Sequence, residues 1–250
     1  MTGLKRPLIL LAGALAPLVA MTAAADGFTR QFPLQACDFK PSGGNAYFRL
    51  KPGRQLYLSN VRCVGENECD ELEEVWITVL PETRLVEFDQ GGRSYSVRTR
   101  VVQEFETADG EVDEISYNFF ADCDPMNDVY YFGEEVFDGE GNPEDDAWIA
   151  GVDGARPGII MPDRAFLLGS RYYQEQAPQA QDRARHTGLG LEVEVPAGVF
   201  RNCVEVTETS PLEPGEESIK VYCPNVGLVI DEELELMAVY EGADPPVAED

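Results

Sequence analysis

The chain has 250 residues, 46 of them acidic against 19 Lys and Arg, a formal net charge of −27. A field of that sign repels nucleic-acid phosphate and anionic lipid surfaces, which argues against both as partners. The acids are spread through nearly every turn and form no single run, the pattern of a uniformly acidic surface suited to a saline setting or of turns that gather divalent cations.

In chain order, the first feature is an export signal. Lys5 and Arg6 precede an apolar run from Pro7 to Met21, and Ala23-Ala24-Ala25 supplies a small-residue cleavage pattern. The run is about 15 residues, short of the roughly 20 a spanning helix requires. The reading is therefore a cleaved signal peptide over residues 1–25, a single β domain over 26–242 beginning at Asp26, and an acidic, Pro-rich tail over 243–250. Cleavage removes two positive charges and leaves Lys40, Lys51 and Lys220 as the only lysines. No later stretch is long and apolar enough to span a bilayer.

Beyond the signal, helical periodicity is almost absent. Short runs of Val, Ile, Tyr, Phe and Thr alternate with Gly, Pro, Asp and Asn, the signature of antiparallel strands. Ala46–Leu50 turns at Pro52-Gly53 into Gln55–Leu58. Glu74–Leu80 turns at Pro81-Glu82-Thr83 into Leu85–Phe88. Ser94–Thr107 turns at Asp109-Gly110, a strong hairpin signal, into Ile115–Ala121. Asp128–Val136 and Ala147–Ala150 follow, then a Gly-rich connection, Arg171–Gln174, and a short helix within Glu175–His186. Leu189–Val195 shows the clearest period-two alternation, and Phe200–Thr209, Ser218–Cys223, Gly227–Ile230 and Leu234–Tyr240 complete the set. The fold class expected is all-β: an antiparallel, strongly curved sheet, half-barrel or barrel of about a dozen strands. Such a sheet either packs its interior or encloses a cavity, and periodicity does not distinguish the two.

All six cysteines lie beyond the signal, and an even count in an exported chain favours disulfides. Cys63 and Cys69 flank a polar turn and close easily on one another. Cys203 and Cys223 flank a hairpin turning at Pro211–Gly215, and a register centred on Glu213 places them opposite each other on one face. Cys37 and Cys123 pair by elimination. Zinc is disfavoured, because no closely spaced Cys pair of the zinc-site kind is present and His186 is the only histidine.

The turn motifs carry a resemblance. Val195-Pro196-Ala197-Gly198-Val199-Phe200, Cys203, and Tyr222-Cys223-Pro224-Asn225-Val226-Gly227-Leu228-Val229 resemble a pattern in exported bacterial β-rich proteins of unknown function. Leu50–Gly53, Tyr131–Glu134, Ala150–Ala155 and Pro157–Pro162 look like the same group, which is loosely similar to the half-barrels of periplasmic lipoprotein carriers. The extra cysteines, notably Cys63, Cys69 and Cys223, depart from that pattern. The resemblance implies an envelope location and a curved sheet, and it brings no functional residues with it.

Catalytic signals are weak throughout. No Gly-x-Ser-x-Gly elbow accompanies His186, and neither Gly188-Leu189-Gly190 nor Gly151–Gly154 opens a helix as a phosphate loop must. The aromatics Trp76, Trp148, Tyr130, Tyr131 and Phe132 read as core. For Ca²⁺, the best candidates are Asp122, Asp124, Asn127 and Asp128 in one hairpin loop. Asp138, Glu140, Asn142, Glu144, Asp145 and Asp146 form a second acidic loop, and Glu111, Asp113 and Glu114 a third. Asp and Asn also favour turns for backbone reasons alone. The expectation is a periplasmic or secreted, non-enzymatic binding protein without a cofactor, its ligand apolar or amphipathic or its partner another envelope protein. The alternative is a Ca²⁺-stabilised extracellular structural protein, and a hydrolase built on a carboxylate pair ranks last.

Overall fold

The computed structural model describes residues 27–163 and 166–248. The segment read as a signal peptide lies outside them, as do Glu249 and Asp250 of the tail. The chain enters through a 3-10 turn at Leu34–Ala36 and β1 (Asp38–Lys40), then β2 (Arg54–Ser59) and α1 (Val61–Glu66). A meander of long strands follows: β3 (Glu73–Gln90), β4 (Arg93–Ala108), β5 (Glu111–Asp124) and β6 (Asp128–Asp138). Short β7 (Trp148–Ile149), β8 (Arg156–Met161), β9 (Arg171–Tyr173) and β10 (Glu175–Gln176) lead to β11 (Arg183–Val195), β12 (Gly198–Thr209), β13 (Ser218–Cys223), β14 (Gly227–Asp231) and β15 (Leu234–Glu241).

These strands make one antiparallel sheet in the order β10-β8-β6-β5-β4-β3-β2-β15-β14-β13-β12-β11-β9, with β1 added to β5 and β7 to β6. Strands β9 and β10 are separated in the chain only by Gln174, yet β9 pairs with β11 and β10 with β8. The two ends of the sheet therefore meet, and the result is a nearly closed barrel with one seam. Gly158 lets them meet: a Cβ there would lie 2.3 Å from the Tyr173 carbonyl oxygen and 2.4 Å from that of Gln174.

Most predicted strands form, with corrections. Ala46–Leu50 makes bends and an isolated bridge instead of a strand. The short helix expected within Glu175–His186 is replaced by β10 and the start of β11. Pro81 does not end a strand: β3 runs through it, with Leu80-Pro81-Glu82 bulging opposite the single residue Val101. The freed carbonyls are gathered by buried Arg100. Its guanidinium donates to Leu80 O at 3.2 Å, Pro81 O at 2.7 Å, Glu82 O at 3.1 Å and, through Nε, Pro41 O at 2.8 Å. The turn between Cys63 and Cys69 is largely α1, ended by Asn67 in the left-handed conformation.

All three disulfides are those expected: Cys37–Cys123, Cys63–Cys69 and Cys203–Cys223. Val204 pairs with Tyr222, so the next step of the ladder places Cys203 opposite Cys223, as the register centred on Glu213 requires. Disulfides of this number fit an oxidising compartment. Among the described residues no helix is long and apolar enough to cross a membrane.

The apolar core lies on both faces of β5 and β6. On the face away from the cavity described below, Phe39 meets Tyr130 and Phe132 edge-on at 5.3 and 5.1 Å, and Phe88 from the β3–β4 hairpin closes on Phe132 at 6.0 Å. Leu34 is buried in the same cluster, so the entering chain, clamped by Cys37–Cys123, covers this end of the sheet. Trp148, Tyr130, Tyr131 and Phe132 are core as read from the sequence. Trp76 is only partly buried and stacks on Tyr57 at 4.9 Å, on the outer side of β2 and β3.

Candidate functional site

Register decides what the barrel interior contains. Three rows of paired residues cross β3, β4, β5 and β6: Val79–Val102–Asn118–Glu134, Ile77–Glu104–Ser116–Val136 and Val75–Glu106–Glu114–Asp138. Alternation puts all three rows on one face, and that face is turned inward, since Ile77, Val79, Val102, Glu104, Glu114, Ser116, Asn118 and Glu134 line one cavity. The opposite wall comes from Glu208 of β12, Lys220 and Tyr222 of β13, and Leu228 and Asp231 of β14, while the seam contributes Gln174 and Glu175. The cavity has a volume of ≈220 Å³. It adjoins a second space of ≈270 Å³ that shares Ile77, Glu104, Lys220, Leu228 and Asp231 and is rimmed by Glu73, Glu232 and Glu233 at the end of the barrel.

The cavity is two-sided in character. Leu56, Ile77, Val79, Val102, Phe120 and Leu228 give an apolar surface. Against it stand Glu104, Glu114, Glu134, Glu175, Asp182, Glu208 and Asp231, opposed only by Lys220, Arg54 and Arg49. The three bases are already engaged. Lys220 Nζ lies 3.2 Å from Asp231 and 3.5 Å from Glu208. Arg54 is 2.5 Å from Glu241 and donates to Val226 O at 2.6 Å, and Arg49 donates to the Asn225 side chain. Among the described residues, Glu104, Glu114, Glu134 and Glu175 have no basic partner within ion-pair distance.

Acids enclosed together without counter-charge resist ionisation. Burial, then the charge of Glu104 and Glu114, pushes Glu106 up to about 8. Burial with neighbouring carboxylates pushes Glu114 up to about 7. Glu134 also rises to about 7, through burial and the charges of Asp146, Glu104 and Glu114, although the Tyr131 hydroxyl partly offsets it. Burial raises Glu104 and carries Glu175 well above the usual carboxylate range. Burial alone would lower Lys220, but Glu208 and Asp231 outweigh it and keep the ammonium charged.

Several polar atoms here are held in place and some are left over. The Tyr131 hydroxyl lies between Asn118 Oδ1 and Glu134 Oε2, 2.6 Å from the latter. Gln174, only 3% exposed, donates Nε2 to Glu208 at 2.5 Å while its Oε1 has no hydrogen-bond partner. Glu175 accepts from Asp182 N at 3.4 Å through Oε1, and the Trp148 indole lies beside the same carboxyl.

The residues singled out from sequence fall elsewhere, with one exception. Asp124 pairs with Lys40, Asp128 accepts from Asp163 N at 2.9 Å, and Asn127 donates to Asp163 at 3.4 Å. Asp122 is buried and pushed up to about 6 by burial and the Asp124 charge. No group of three or more His, Cys, Asp or Glu side chains that could hold a metal ion forms among the described residues, these included. In the second acidic loop, Asp138 folds the turn itself, accepting from Glu140 N at 2.9 Å and Asn142 N at 2.8 Å. The exception is in the third: Glu111 and Asp113 face solvent, whereas Glu114, the next residue along β5, points into the barrel. His186 is a core residue, 1% exposed, stacked on Phe166 at 4.1 Å, 3.1 Å from the Tyr172 hydroxyl, and lowered to about 4 by burial.

Comparison with protein-family models, with curated proteins and with solved structures finds no match to this chain. The cavity is therefore read from its own chemistry. Sequence reasoning missed Glu104, Glu106, Glu134, Gln174 and Glu175, although the Glu104–Glu106 spacing and the isolated Lys220 in an apolar strand were visible signals.

Proposed function

We propose that the protein is exported and works in the periplasm or outside the cell as a non-enzymatic binding protein that holds a small amphipathic ligand inside the barrel. The observation that carries this reading is the interior itself: a cavity of ≈220 Å³ with an apolar wall facing an array of polar groups. Pockets that face a few fixed polar groups against apolar walls are suited to small molecules. The export signal, three disulfides and the likeness of the turn motifs to exported β-rich proteins support the location.

Two measurements test it. Native mass spectrometry of protein purified from its own host is expected to show a bound small molecule that is released on unfolding. N-terminal sequencing of the same material is expected to begin at Asp26. A purely apo species that also fails to take up any small amphipath would overturn the binding reading, and an intact Met1 in a cytoplasmic fraction would overturn the location.

A further inference from the structure

The acidic array in the barrel extends this reading to the class of ligand. Most buried carboxylates in proteins meet a base or several donors, because an uncompensated buried charge is costly. Here half-buried Glu104, Glu114 and Glu134 line one cavity with no base within ion-pair distance among the described residues, and the three bases that share the cavity are committed to other partners. A second, independent feature points the same way. Gln174, a 3%-exposed side chain lining the same cavity, commits its Nε2 to Glu208, and no described residue donates to its Oε1. Orphaned buried acceptors are rare in folded proteins and call for a donor from outside the chain. With its three bases already committed, the interior holds an excess of acidic groups, and the group complementary to it is donor-rich and positively charged.

We propose that the cavity binds a small organic cation, with its ammonium or amidine-like group among Glu104, Glu114, Glu134 and Gln174 and its apolar portion against Ile77 and Val102. This rests on the ligand-binding reading above and names the chemistry of that ligand. A bare divalent ion is a poorer fit, since the carboxylates are spread over several strands and do not converge as metal ligands must. An organic cation bridges such a spread, because its N–H groups diverge and its carbon frame covers the apolar wall. The rim carries the same sign: Glu73, Glu232 and Glu233 surround the adjoining space and would steer a cation inward.

The test is calorimetric titration of the disulfide-intact mature protein with octylamine, 1-octanol and octanoate, which share a chain and differ in the head group. Octylamine is expected to bind at least about tenfold more tightly than octanol, with octanoate weakest. In a Glu104→Gln/Glu114→Gln double variant the amine preference is expected to fall to about twofold while octanol still binds and the melting temperature is no lower than that of the wild type. Equal affinity for octylamine and octanol would overturn the cation assignment and leave the binding reading standing. Octanol preference for both proteins would do the same. Binding of none of the three would remove both. Should the double variant fail to fold, Gln174→Leu, which deletes the orphan acceptor without adding charge, is expected to weaken octylamine selectively, and an unchanged preference there would count against the proposal.

Discussion

Glu106 offers the most direct test of the interior electrostatics, because its behaviour should follow pH with a definite sign. It sits on the inward face of β4, paired across the sheet with Val75 and Glu114. Burial and the Glu104 and Glu114 charges push it up to about 8 from an unfolded value of 4.5. Between those values the folded protein holds a proton that the unfolded chain releases. Its contribution therefore leaves stability untouched below about pH 4.5, erodes it as pH rises, and reaches its full cost above about pH 8. At about 1.4 kcal/mol per pH unit the limit is about 5 kcal/mol, and water in the adjoining space together with coupling to Glu104 and Glu114 brings a working figure to about 2 kcal/mol. Glu106→Gln keeps the shape and removes the titration. Its melting temperature should match the wild type at pH 5 and exceed it by about 5 °C at pH 9, using roughly 2–4 °C per kcal/mol for a domain of this size. Differential scanning calorimetry of both proteins across that range is the assay. A constant offset, or a variant less stable at pH 9 than at pH 5 relative to wild type, would refute the claim that this carboxyl is enclosed among others.

Four further outcomes follow from other parts of the fold. Gly158→Ala would drive a Cβ into the Tyr173 and Gln174 carbonyls at 2.3 and 2.4 Å, and should cost about 3 kcal/mol and expose the β9 and β10 amides to hydrogen exchange first. Arg100→Met leaves four carbonyls around the β3 bulge without their donor and should lower the urea midpoint by an amount equivalent to about 3 kcal/mol, while an effect below about 1 kcal/mol would show that water replaces the guanidinium. Non-reducing peptide maps should link Cys203 to Cys223 and Cys37 to Cys123, and removing the second pair, which closes the longer loop with a separation of 86 residues, should destabilise more than removing the first, separated by 20. The single histidine, lowered to about 4 by burial, should remain neutral by NMR down to about pH 5; because the unfolded chain protonates it nearer 6.5, it weakens the fold as pH falls below that value, and a titration midpoint near 6.5 would show that the ring is solvated.

The sequence by itself determined the strand content, most turns and the covalent frame. Asp109-Gly110, the Pro211–Gly215 turn and the spacing of Cys203 and Cys223 are local, and local chemistry fixes a hairpin's register, so its disulfide was legible before any tertiary contact. Ala46–Leu50 failed as a strand because both edges of β2, its expected hairpin partner, are taken by β3 and β15, which its own alternation does not reveal, and β3 ran through Pro81 because Arg100, 19 residues away in the chain, replaces the ladder there. What only the tertiary structure decided is which face of each strand is inside. Along β4, Val101, Gln103 and Phe105 alternate with Val102, Glu104 and Glu106, and both faces carry apolar residues. Ordinary burial preference would send the glutamates to solvent. Closure of the sheet through Gly158 and the β9–β10 seam instead turns them inward, with Glu114 and Glu134 of the next two strands and toward Glu175 from the distant seam. A period of two specifies that Glu104 and Glu106 share a face, but the direction of that face depends on the sign of the sheet's curvature, which is a property of all the strands together.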